Sequence, residues 1–133
     1  MSPSIGVRGV MLENTFLSIG AMVDHWMPAV APFKQFVLQV HFPSDKRIGQ
    51  VTIPIMFISG AEDAAVPAKH SATLHKLATS APIKEVFESF DGAHHNTWKS
   101  KGYKKSVNRF FAKCEGIQVQ AQAPQPAAQP PEP

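Results

Sequence analysis

Ile53–Pro67 reads IPIMFISGAEDAAVP. Its first half, Ile53–Ser59, is apolar at consecutive positions, so both faces of a strand there would be apolar. That pattern belongs to a strand covered by helices on each side. Gly60–Val66 then reads as a loop, and Pro67 suits the first turn of a helix continuing over Ala68–Thr79, with Leu74 and Leu77 facing inward. Pro82 follows the end of that helix. Ile83–Phe90 (IKEVFESF) alternates more strongly, which predicts the next strand, nearer the sheet edge. Asp91-Gly92-Ala93 turns, and the last helix is predicted over Thr97–Lys113. There Tyr103, Val107, Phe110, Phe111 and Cys114 fall at helical spacing on one face.

Upstream, Val7–Leu12 (VRGVML) is a short apolar run fit for a buried strand, stopped by Glu13-Asn14-Thr15. Pro28, Pro32 and Pro43 forbid one long helix across Phe16–Val40. Short broken helices are predicted instead, around Ile19–Met27 and Pro32–Val40, followed by a polar connector, Phe42–Gln50. The order is strand, broken helices, strand, helix, strand, helix. Strands separated by helical segments give parallel βαβ units and an α/β sheet. Three parallel strands apolar on both faces leave an uncovered edge, so the sheet reads as part of a larger one.

Composition narrows the function classes. The chain has 133 residues, 44% hydrophobic and 17% charged, which is globular. Its single cysteine, Cys114, allows no intramolecular disulfide and no Cys-based zinc site. Thirteen basic against ten acidic residues give a net charge of +3, too mild to imply a nucleic-acid partner. The most apolar long segment, Gly20–Phe42, is interrupted by Asp24, His25, Lys34 and His41, and Met1–Gly9 has no apolar core of a signal peptide. His70 and His75 are five residues apart on a helix, the wrong spacing for an i, i+4 metal pair. No cofactor or metal is expected. Gln118–Pro133 holds five Pro, five Gln and four Ala without period, so residues 117–133 are expected to form a disordered tail after a domain over residues 1–116.

Ligands in open α/β sheets bind beyond the carboxyl ends of the strands. The loop after the second strand carries Asp63, and the loop after the third carries His94 and His95. An Asp and a His on consecutive parallel strands lie at the same end of the sheet. An Asp can there fix the tautomer of a His that acts as a general base. Taken singly, such an Asp is usually a turn former, and such a His pair is usually solvated.

Three stretches resemble the C-terminal part of an α/β-hydrolase. Phe57–Pro67 (FISGAEDAAVP) is similar to the family's acid loop and maps the acid to Asp63, with Glu62 as the alternative. Phe90–Trp98 (FDGAHHNTW) resembles the histidine loop and maps the base to His94. Val10–Ile19 (VMLENTFLSI) resembles the strand that follows the nucleophile region. The resemblance covers about Ile5–Phe111 and is nearest the bud-emergence-type "abhydrolase domain-containing" subgroup, beside the prolyl-oligopeptidase-like serine hydrolases. His95 stands where that subgroup usually has Asn, and Asn96 is displaced by one; spacing from Gly92 favours His94.

The resemblance implies a partial α/β-hydrolase fold of about three parallel strands with flanking helices. It implies a serine hydrolase acting on an ester, thioester or peptide bond, with catalytic Asp63 and His94. Residues 17–42 would form a cap-like segment. No Gly-x-Ser-x-Gly occurs in the chain. The nucleophilic Ser is therefore expected from a missing N-terminal half, and this chain alone is expected to be inactive. The expected partners are that half and a small acyl or peptide substrate, with peripheral membrane contact and no nucleic acid. The expected location is cytoplasmic, with any membrane association supplied by upstream sequence. The alternative is a non-catalytic truncated module binding a partner hydrolase or a membrane surface.

Overall fold

In the computed structural model, which describes residues 6–38, 40–90 and 96–122, three strands form one parallel sheet in the order β1-β2-β3: β1 Val10–Glu13, β2 Ile55–Gly60 and β3 Lys84–Ser89. Val10 pairs with Ile55 and Ile55 with Lys84 at the start. At the far end Glu13 faces Ile58, and Gly60 faces Ser89.

Every residue of β2 is buried. Its side chains alternate between two cores. Ile55 and Phe57 join Ile48, Leu74 and Ala78 on one face. Met56 and Ile58 join Phe110 and Cys114 on the other. Leu74 comes from α4 (Ala68–Leu77), and Phe110 and Cys114 come from α5 (Tyr103–Gln122). The central strand is thus apolar at consecutive positions because a helix covers each face. β3, an edge strand, keeps Lys84, Val86 and Glu88 exposed and turns Glu85, Phe87 and Ser89 inward, the alternation of its sequence.

The proline-broken region forms α1 (Ile19–Trp26), a 3-10 turn Ala31–Phe33 and a single turn α2 (Lys34–Val37). Ser18 caps α1: its hydroxyl accepts from the Ala21 amide at 3.1 Å. The stretch expected as a polar connector contains the short turn α3 (Ser44–Arg47) and a 3-10 turn Ile48–Gln50, which buries Ile48 in the core.

Two boundaries differ from expectation. The final helix does not start at Thr97. Thr97–Lys99 is a separate 3-10 turn, after which Ser100 is extended and Gly102 takes φ +90°, a conformation glycine adopts without strain. At its other end α5 runs to Gln122, into the segment expected to be disordered. Gln and Ala are good helix formers, and Pro124 is the first residue able to stop them. The remainder of the expected tail, residues 123–133, lies outside the described residues.

Candidate active site

The loop leaving β2 places Asp63 just beyond the carboxyl end of the sheet. Its side chain is almost completely buried, at 5% exposure. Oδ1 accepts from the amides of Ala65 at 2.8 Å and Val66 at 2.9 Å, and the Asp63 amide donates to the Gly60 carbonyl at 3.2 Å. The carboxylate therefore organises its own loop, as Asp does in turns. The loop is also pinned from outside. The Ala61 amide donates to the Ser89 carbonyl at 2.8 Å, tying it to the end of β3. From α1, the Trp26 indole donates to the Ala65 carbonyl at 3.0 Å, and His25 Nε2 lies 3.4 Å from the Ala64 carbonyl.

His94 and His95 lie outside the described residues, as does Asp91, so the Asp63–His94 contact is not part of the described geometry. The flanks of their loop are described. The loop leaves β3 after Ser89, opposite Gly60 of β2, and so starts from the sheet end that carries Asp63. The described chain resumes at Asn96, and Thr97 next to it is fully buried.

Sequence reasoning treated Glu13 only as a strand stop. At the carboxyl end of β1 its carboxylate accepts from the Thr97 hydroxyl and, at 3.3 Å, from the Tyr103 hydroxyl. Burial, with Glu13 alongside, raises the Tyr103 pKa above its usual value. The buried hydroxyls of Ser89 and Ser100 are hydrogen-bonded to each other across the same loop. These contacts link residues far apart in sequence. The one local signal was a charged residue ending an otherwise apolar strand.

The other candidates have structural positions. The Ser18 hydroxyl caps α1, and Ser59 is buried within β2. His70 is buried, with Nδ1 accepting weakly from the Leu17 amide at 3.5 Å, and desolvation lowers its pKa. His75 packs edge-on against Phe57 at 5.5 Å between ring centres, and burial lowers its pKa too. No three potential metal ligands cluster among the described residues. Glu62 is exposed beside Asp63.

No protein-family model matches the chain. Individual proteins do. It is 30% identical over 121 residues to the α/β-hydrolase domain-containing protein WAV2 of Arabidopsis thaliana, covering 80% of this chain and 39% of the relative. It is 31% identical over 112 residues to protein bem46 of Schizosaccharomyces pombe, covering 80% and 36%. The chain has a partial α/β-hydrolase fold. It resembles the C-terminal part of the bud-emergence-type proteins. The uncharacterised membrane protein YNL320W of Saccharomyces cerevisiae is 34% identical over 107 residues, covering 77% of this chain and 36% of the relative. The chain thus spans well under half the length of these curated relatives. Among its described residues no helix is long and apolar enough to cross a membrane.

Proposed function

We propose that this chain is the acid-and-histidine portion of a serine hydrolase that cleaves an ester, thioester or amide through an acyl-enzyme. His94 takes the proton of a serine hydroxyl as general base and later returns it to the leaving group. Asp63 accepts from the other ring nitrogen, holds the tautomer and stabilises the imidazolium. The serine and the oxyanion donors come from residues outside this chain, since no Gly-x-Ser-x-Gly occurs in it. The observation that carries the proposal is the buried Asp63 carboxylate beyond β2, with the histidine-bearing segment leaving the adjacent parallel strand at the same end. The name of the WAV2 relative supports the hydrolase relationship. The name of the yeast relative, a membrane protein, supports membrane association and no more.

The test is co-expression with an upstream half containing a Gly-x-Ser-x-Gly elbow. The isolated chain should neither hydrolyse p-nitrophenyl esters nor label with a fluorophosphonate. Both activities should appear with the upstream half, and His94→Ala should abolish them. Losing one oxyanion donor alone costs about 10²–10³-fold, so loss of nucleophile and donors together leaves almost nothing. Labelling of the isolated chain at Ser18 or Ser59 would refute the proposal. One observation favours the second reading, a non-catalytic module that docks on a partner hydrolase. β1 is an open edge with Met11 36% exposed and Val7, just before it, 71% exposed. Association with the upstream half without labelling would select that reading.

A further inference from the structure

From Asn96 to Cys114 the chain carries six cations and no acid: Lys99, Lys101, Lys104, Lys105, Arg109 and Lys113. The last two are engaged by Glu85 of β3, which accepts from both and whose pKa they lower. The remaining four gather at the start of α5 and just before it. Lys104 and Lys105 occupy its first turn, where the helix dipole disfavours cations and where there is no acidic residue to offset them. Helix stability does not account for that placement. With Trp98, Lys99, Ser100 and Gly102 they line an open concavity of about 540 Å³. Trp98 is 58% exposed and has the Lys99 ammonium 5.0 Å from its ring centre.

This basic concavity lies at the carboxyl end of the sheet. Thr97, beside Trp98, bonds the last residue of β1. Phe90, directly after β3, is 72% exposed at that end. Trp26, bonded to the acid loop, is 59% exposed, and Met27 beside it is also exposed. Large apolar and amphipathic side chains thus ring the end of the sheet that bears Asp63, with ammonium groups among them.

We infer that the Trp98–Lys99–Lys104–Lys105 concavity docks the protein on an anionic lipid bilayer, with Trp98 at headgroup depth. Indole rings settle at the membrane interface, where one side of the ring is apolar and the other wet. Each lysine near an anionic surface adds attraction that salt screens. A polyanion such as single-stranded nucleic acid would also use the lysines, but it leaves exposed Phe90 and Met27 without a role. Docked in this way, the acid loop faces lipid. If the proposed hydrolase chemistry is right, its substrate is then an acyl group presented at the membrane surface. The docking itself does not depend on that chemistry.

The experiment uses the full chain with unilamellar vesicles of phosphatidylcholine alone or with about 30% phosphatidylserine, in low and high salt. Binding is read by flotation and by quenching of tryptophan fluorescence with brominated lipid. The chain should bind the phosphatidylserine vesicles, release in high salt and bind neutral vesicles far more weakly. The triple variant Lys99→Gln, Lys104→Gln, Lys105→Gln should lose roughly 100-fold in binding, about fivefold per lysine, with an unchanged circular-dichroism melt. In the Trp26→Phe variant, which leaves Trp98 as sole reporter, brominated lipid should quench the emission. Equal binding to neutral vesicles, undiminished binding by the triple variant, or an unquenched Trp98 would overturn the inference. So would tighter binding to a single-stranded oligonucleotide than to the vesicles. None of these readouts needs hydrolysis, so failure of docking and failure of the hydrolase proposal are separately visible.

Discussion

Replacing Asp63 in two ways separates its structural role from its proposed chemical one. In Asp63→Ala the Ala65 and Val66 amides lose an ionised acceptor at 2.8 and 2.9 Å. A hydrogen bond to a charged group contributes about 1.5–3 kcal/mol, so two would give about 3–6 kcal/mol in a dry site. The site is not dry: Ala64 and Ala65, next to Asp63, are exposed, and the bond from the Ala65 amide is only part-buried. Removing a buried charge also returns part of its desolvation cost. We expect a net loss of about 2 kcal/mol for Asp63→Ala. Asp63→Asn keeps a side-chain oxygen for both amides and loses only the charge assistance, which roughly halves such bonds, for a loss of about 1 kcal/mol. Urea unfolding of the isolated chain, followed by circular dichroism, reads both values. In the chain reunited with its upstream half, Asp63→Asn should lower kcat by about 10⁴, because an amide cannot hold the imidazole tautomer that the base needs. Equal destabilisation by the two variants, or a reunited enzyme indifferent to Asp63→Asn, would refute the reasoning.

Burial depresses the folded-state pKa of His70 and His75 below the ordinary value of 6.5, so the unfolded chain binds protons first as pH falls. Stability from these neutral rings is complete above about pH 6.5 and declines as pH drops through the lower folded values; the urea midpoint should fall between pH 7.5 and 5.5, less steeply in His70→Gln. Leu74 is fully buried against the Ile55 and Phe57 face, so Leu74→Ala should cost about 3 kcal/mol in the same unfolding assay. The Cys114 thiol is buried and its pKa raised by desolvation, so it should react with a maleimide only on unfolding, as mass spectrometry would show.

The fold was legible where one residue type dominated a stretch. The unbroken apolar run through Ile55–Ile58 announced a strand covered on both faces, and the alternation of Lys84–Ser89 announced an edge. Prolines marked the breaks between α1 and α2 correctly. What periodicity missed were small backbone decisions. The gap between the turn at Thr97–Lys99 and α5 depends on the φ of Gly102, which composition does not reveal. Ile48 enters the core from a stretch whose charged neighbours, Asp45, Lys46 and Arg47, disguised it as a connector.

The site was legible to the extent that topology could locate it. Parallel order alone predicted that the loops after β2 and β3 would share one end of the sheet, and the Ala61–Ser89 bond shows how closely they start together. Topology says nothing about what holds the loops. Asp63 is locked by its own loop amides. That loop is bonded to β3 and to α1, and the far side of the histidine-bearing segment is anchored through Thr97 to Glu13 of β1. Each of the three strands thus holds one boundary of the same small region by contacts internal to this chain. An acid that will orient a histidine has to be fixed before the substrate arrives, because a rotamer search at the moment of reaction raises the barrier. The anchoring of Asp63 requires no partner half. In the proposed enzyme the nucleophile would therefore meet an acid already fixed at the carboxyl end of the sheet.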